Sequence, residues 1–159
     1  EAEHKLEKLL QQQTEKLGEI QDDINLRMEI INGVVTEKQE TAPLLYITPQ
    51  KDIIFETPGN TSEGTAFKSL VVYDLSVLKL RPIPSIIHYS SIFKRIEDVH
   101  LEHILERYQS TKRQVFIAFD KADSTTEKAH RILEETAILR LSDGNELFGR
   151  SSSKYETND

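Results

Sequence analysis

The chain of 159 residues carries 20 Lys and Arg against 27 Asp and Glu, a formal net charge of -7, and no cysteine. That length points to one domain around one core; the acidic balance argues against general nucleic-acid binding, though not against a local basic patch, and the missing cysteine excludes disulfides and thiolate metal sites. No apolar run reaches membrane-span length and no signal peptide is visible, so a soluble, cytoplasmic chain with no membrane role is expected.

In chain order, the first signal runs from about Glu3 to Lys38, free of proline and rich in charge and glutamine. Leu6, Leu10, Gln13, Leu17, Ile20, Ile24, Arg27, Ile31 and Val34 are spaced 4-3-4-3, and seven of these nine positions are apolar. This is a coiled-coil seam, weighed against an amphipathic helix lying on its own domain. At 1.5 Å per residue the helix would be roughly 50 Å long. The start at Glu1, within the helical pattern, suits a piece of a longer chain. Thr41-Ala42-Pro43 is read as the helix end, and Leu44–Thr48 and Asp52–Glu56, around Pro49-Gln50-Lys51, as a hairpin.

A Gly/Ser/Thr loop at Thr61–Thr65 then opens into an apolar helix, Ala66–Leu80. An apolar helix of this kind is buried on several sides. Its N-terminus, with free N–H groups and the positive end of the dipole, favours an anion. The plainer reading of Ser62 and Gly64 is a polar turn that caps a buried helix. Pro82 and Pro84 stop the helix, and Pro84–His88 is a short buried strand ending in the polar loop Tyr89-Ser90-Ser91. Glu97–Gln109 is an amphipathic helix, Gln114–Phe119 a second buried strand, and Ser124-Thr125-Thr126-Glu127 a capping box opening a helix to about Glu135. Ala137–Leu141 reads as a strand, Ser142-Asp143-Gly144-Asn145 as a hairpin turn into Glu146–Gly149, and Ser151–Asp159 as a polar tail. The alternation predicts an α/β fold: a long N-terminal helix, a partly parallel sheet with helices and a closing C-terminal hairpin. The expected division is a helical arm over residues 1–40, a lobe over 41–150 and a tail over 151–159.

This order of long helix, Thr61–Thr65 loop, apolar helix, Pro84–His88 strand and polar loop resembles the C-terminal half of the head of a coiled-coil ABC-type ATPase. The class is that of SMC and RecN proteins, and more narrowly a bacterial branch whose C-terminal region is a domain of unknown function. The resemblance implies that Ser62, Glu63, Gly64 and Thr65 stand where such heads carry their L-S-G-G-Q loop, with Ser62 and Gly64 matching. There the serine and adjacent N–H groups touch the γ-phosphate of ATP held by the opposite head. It also implies that Tyr89 occupies the position of an aspartate that binds Mg²⁺, and Ser90 that of a glutamate that activates water. Asp120 stands at the place of the switch histidine, and Ile96-Glu97-Asp98 at the D-loop. Tyr89 is no replacement for a carboxylate at neutral pH. No G-x-x-x-x-G-K-[ST] occurs. ATP and Mg²⁺ are therefore expected only in an assembled head. The implied partners are an N-terminal P-loop half across an antiparallel coiled coil, a second head in a homodimer, and DNA.

Two other functions compete with an ATPase head in bacterial DNA maintenance or defence. One is a non-enzymatic coiled-coil oligomerisation and interaction module. The other is a stand-alone hydrolase using His88, Asp120 and Asp98. His88, ending a buried strand, is read first as a hydrogen-bonded core residue. Asp74, inside an apolar helix, is read as paired. His100 and His103 with Asp98, Glu102 and Glu106 form a weak metal pattern without a third ligand at fixed spacing. Lys94 and Arg95 are read as a solvated loop before a phosphate or DNA contact.

Overall fold

The structure, a computed structural model, describes residues 1–48, 52–120, 125–142 and 145. Helix α1 spans Ala2–Val35. A hairpin follows, with β1 at Leu44–Ile47 and β2 at Ile53–Glu56. Next come α2 at Glu63–Leu80, β3 at Ser85–His88, α3 at Ser90–Phe93, α4 at Asp98–Ser110, β4 at Gln114–Ile117 and α5 at Glu127–Thr136. No described helix is long and apolar enough to cross a membrane.

The lower part of α1 lies on the lobe, as the amphipathic alternative has it. Met28, Ile31 and Val35 are buried in the common core, and Ile24 packs against it. The expected seam is therefore only partly a free face: Ile31 is inside, whereas Leu6, Leu10 and Val34 are exposed. The helix also ends sooner than Thr41-Ala42-Pro43 predicts. Glu37 and Lys38 take positive φ angles of 51° and 64°, which no helix continues through. The Thr36 hydroxyl folds back to the Asn32 carbonyl at 2.8 Å, and His103 of α4 donates Nδ1–H to the Val35 carbonyl at 2.8 Å. An open C-terminal carbonyl is thus satisfied from outside the helix.

β1 and β2 pair antiparallel, with Leu45 opposite Phe55. The outer edge of β1 is covered by α1 side chains. The Leu45 N–H donates to Asn25 Oδ1 at 2.8 Å, Asn25 Nδ2 donates to the Leu45 carbonyl at 2.9 Å, and the Ile47 N–H donates to Gln21 Oε1 at 2.8 Å. The predicted turn Pro49-Gln50-Lys51 lies outside the described residues.

Helix α2 is the centre of the lobe. It buries Val71, Val72, Leu75 and Leu78, together with Lys68, Ser69 and Ser76. The amphipathic α4 adds Leu101, Ile104, Leu105 and Tyr108 to the same core. β3 and β4 pair parallel, Ile87 opposite Phe116 and His88 opposite Ile117. Alternation along the strands turns Ile86, Val115 and Ile117 inward onto the core. Ile87 and Phe116 point outward and are 71% and 40% exposed.

Three expectations need correction. Tyr89-Ser90-Ser91 is not a loop, because Ser90–Phe93 forms one helical turn that drives Phe93 into the core. The cap of α5 is Thr126, whose hydroxyl accepts the Ala129 N–H at 3.1 Å, and not the head of a Ser124–Glu127 box. Ala137–Leu141 is not a strand: Ile138, Leu139 and Leu141 stay exposed, and β structure there is limited to an isolated Ser142–Asn145 bridge. Its hairpin partner Glu146–Gly149 and the tail 151–159 lie outside the described residues.

Candidate functional site

Two places gather the residues singled out in the sequence. The first is a cleft of about 530 Å³ where α2 begins, lined by Ser62, by Glu63–Thr65, which form the first turn of α2 and not the expected loop, and by Glu40, Lys68, Arg95, Glu97 and His100. Ser62 is the N-cap of α2. Its Oγ accepts the Thr65 N–H at 3.2 Å and donates to Thr65 Oγ1 at 2.9 Å. The polar-turn role foreseen for Ser62 is thus real, and it holds the hydroxyl at the mouth of the cleft. Gly64 has a packing reason. A Cβ there would stand 2.4 Å from the Arg95 carbonyl oxygen, so the first turn of α2 and the segment after α3 meet backbone to backbone. Glu63 adds an ion pair to the same seam, with Arg95 Nη1 at 2.6 Å from its Oε2.

Behind this turn lies a feature the sequence reading missed. Lys68 is 1% exposed and pairs with Glu40. The second Glu40 oxygen is 3.8 Å from His100 Nε2. The signal was there: one lysine within the run Phe67–Tyr73, which is otherwise apolar apart from Ser69. A buried ammonium needs an anion at contact.

The second place is the C-terminal end of the parallel strands. The Ala118 N–H donates to the His88 carbonyl at 2.9 Å and aligns the two strand ends. Ser90 and Asp120, widely separated in sequence, come together there. The Lys94 ammonium lies 2.8 Å from Asp120 Oδ2. That hydrogen bond, helped by the Lys94 charge and a hydrogen bond from Ser90, holds the Asp120 carboxyl below the usual carboxylate range. Tyr89 sits beside them, 62% exposed. It is a phenol and not a carboxylate, and stands directly after β3.

His88 follows its core reading. It is 2% exposed, with Nε2 at 2.8 Å from Asp74 Oδ2 and Nδ1 at 2.6 Å from the Tyr108 hydroxyl. A carboxylate only accepts, so Nε2–H donates to Asp74, and Nδ1 shares the second hydrogen bond with the Tyr108 hydroxyl. Burial, and secondarily the Asp74 charge, pushes the Tyr108 phenol well above its ordinary value. This arrangement ties α2, β3 and α4 together, and Asp120 engages other partners. His88 and Asp120, two of the residues of the hydrolase reading, thus have different hydrogen-bond partners.

The two α4 histidines also part company. His100 faces Glu40 and Glu97, while His103 caps α1. Glu102, His103 and Glu106 bring ligand atoms within 4.8 Å of one another. Lys128 already bridges both carboxylates, and Thr126 donates to Glu102 at 2.5 Å. These acids hold an ammonium of the chain itself.

Comparison with known proteins follows the same lines. The model of a family described as an uncharacterised protein conserved in bacteria (DUF2326) matches residues 20–152. No curated protein sequence matches. Among solved structures 18 chains match. One, described as "Structural biochemistry of ATP-driven dimerization and DNA stimulated activation of SMC ATPases", is 12% identical with a TM-score of 0.52, over 74% of this chain and 75% of that one. Another, "Crystal structure of the SmcHead bound to the C-winged helix domain of ScpA", is 12% identical with a TM-score of 0.55, over 70% of this chain and 37% of that one. The likeness is one of fold: this mixed α/β lobe with its long helix resembles the fold of SMC ATPase heads.

Proposed function

From the premise that the chain belongs to the bacterial family DUF2326, we propose that it forms the C-terminal lobe of an SMC-like ATPase head. In this reading residues 1–40 are an arm and 41–150 the lobe. The Ser62–Thr65 stretch contacts ATP held by a second head, and engagement of the two heads is passed to α1. ATP and Mg²⁺ enter only when a P-loop-bearing half completes the head. DNA maintenance or defence is the process this suits.

The observation that carries the reading is the capped start of α2 over an open cleft. Ser62 and Gly64 stand at a helix N-terminus, where backbone N–H groups favour an anion. The bare outer face of β3 and β4 supports it as well. Parallel sheets are stable when both faces are covered, and here Ile87 and Phe116 are uncovered. A P-loop half joined to this sheet would cover them.

The test is ATP turnover and dimerisation of the chain joined to its P-loop half, as wild type, Ser62→Arg and Tyr89→Asp. Ser62→Arg should abolish ATP-dependent dimerisation, and Tyr89→Asp should raise turnover. If neither wild type nor Tyr89→Asp binds ATP, the head reading falls. A second reading is favoured by Tyr89 itself: with no acid at the Mg²⁺ position, the chain would serve as a non-enzymatic oligomerisation and interaction module built on α1. Dimerisation that is indifferent to ATP and to Ser62 would favour that module.

A further inference from the structure

We propose that Glu40 is a built-in competitor for a phosphate-class anion in the cleft below Ser62–Thr65, and that displacing it loosens the joint between α1 and the lobe. The proposal rests on the head reading only in taking that cleft to face a polyphosphate.

Four observations carry it. Lys68, fully buried, takes its counter-charge from the Glu40 carboxylate alone among the described residues. Glu40 belongs to the connector between α1 and β1, so it is not fixed in a helix or strand. Its side chain keeps 28% exposure and lines the same cleft as Ser62 and Arg95. Arg95, more exposed, also has a carboxylate partner, Glu63, at 2.6 Å. The cleft thus contains a lysine and an arginine, each satisfied by a carboxylate of its own chain. A phosphate oxyanion offers more acceptor oxygens than one carboxylate.

The connector is also held under strain. Glu37 and Lys38 are consecutive non-glycine residues at φ of 51° and 64°. Such conformations persist only where the surroundings fix them. Here they are fixed by the Lys38 N–H on the Gly33 carbonyl at 2.9 Å, by Asn32 Nδ2 on the Glu40 carbonyl at 2.9 Å and by the Glu40 ion pair. The ion pair is one of these three contacts, so displacing the carboxylate removes one restraint on residues 36–40. Occupation of the cleft is in this way felt where the arm is attached.

The experiment is calorimetric titration of the full chain with sodium tripolyphosphate at fixed salt. Glu40→Gln should bind about tenfold more tightly than wild type. Glu97→Gln, which removes a more exposed carboxylate from the same cleft, should stay within about twofold of wild type. Glu40→Gln with Lys68→Gln, which leaves no uncompensated buried charge, should lose the gain. Equal binding by wild type and Glu40→Gln, an equal gain in Glu97→Gln, or a gain surviving in the double variant overturns the competition. Thermal melts guard against misfolding: tripolyphosphate should raise the Tm of Glu40→Gln more than that of wild type. The cysteine-free chain allows spin labels at Glu19→Cys and Lys112→Cys to read the joint. Their distance distribution should broaden in Glu40→Gln, and an unchanged one overturns the release. These measurements need no second head. If they fail while Ser62→Arg still blocks ATP-dependent dimerisation, the competitor falls and the head reading stands. The opposite pair of results separates them the other way.

Discussion

The cleft at the start of α2 and the outer face of the β3–β4 sheet lie on the same lobe but are finished to different degrees. In the cleft, Lys68, Arg95, Glu40 and Glu63 have partners within the chain, and Gly64 touches the Arg95 backbone. On the sheet, Ile87 and Phe116 face outward with no cover. The difference separates what the chain needs to fold from what it keeps for another surface. Substitutions in the cleft should cost stability in the isolated chain, whereas those on the sheet face should be silent until a partner is added.

The largest effect expected is from Lys68→Met with Glu40 retained. It strands a partly buried carboxylate and should cost about 3 kcal/mol, the lower end for broken buried pairs because Glu40 keeps some solvent. Chemical denaturation measures it, and a loss below about 1 kcal/mol would mean the pair contributes no more than a surface contact. Gly64→Ala comes next. The added methyl meets the Arg95 carbonyl, a backbone atom with little room to yield, and should cost about 2 kcal/mol. Tyr108→Phe should cost about 1 kcal/mol at neutral pH through the lost His88 hydrogen bond. It also has a pH signature. The folded phenol is raised, so its contribution is complete below the ordinary value of 10.0 and is lost as pH rises beyond it. Denaturation series above pH 10 should fall less steeply in Tyr108→Phe than in wild type. The smallest effect is Ile87→Ser with Phe116→Ser, expected within about 0.5 kcal/mol for the lone chain. The same double variant should weaken association with the P-loop half, and pull-down of the two halves measures it. A large destabilisation of the lone chain would mean that this face is part of its own core.

Most of the architecture is visible in local chemistry. Ser62 before a long apolar run, Pro82 and Pro84 after it, and the β-branched and aromatic Gln114–Ile117 stretch, which is a strand but only half-buried, each fix an element by their own propensities. What was not legible depends on tertiary contact. The end of α1 is set by Glu37, Lys38 and a histidine 68 residues away, none of which looks like a stop signal. The short turn at Ser90–Phe93 forms because Phe93 has a place in the core. Ala137–Leu141 has strand composition but no paired strand among the described residues, and Ile138, Leu139 and Leu141 are exposed. Of the site, the stretch 62–65 and the meeting of Ser90 with Asp120 follow from motif order and parallel strand ends. The Lys68–Glu40 pair does not, because nothing in a sequence says which distant carboxylate will answer a buried lysine.

The hairpin has a consequence of its own. Asn25 and Gln21 imitate a neighbouring strand along β1, filling the hydrogen-bonding positions of Leu45 and Ile47. A sheet edge closed in this way is no template for another chain, whereas an open edge invites one. Growth of this sheet is thereby made one-directional. Any strand added to it must come alongside β2, where Ile53 and Ile54 are exposed. Two copies of the chain have no route to stacking β1 against β1. Asn25→Ala would free the Leu45 N–H and carbonyl, leaving Gln21 as the cover of that edge at Ile47.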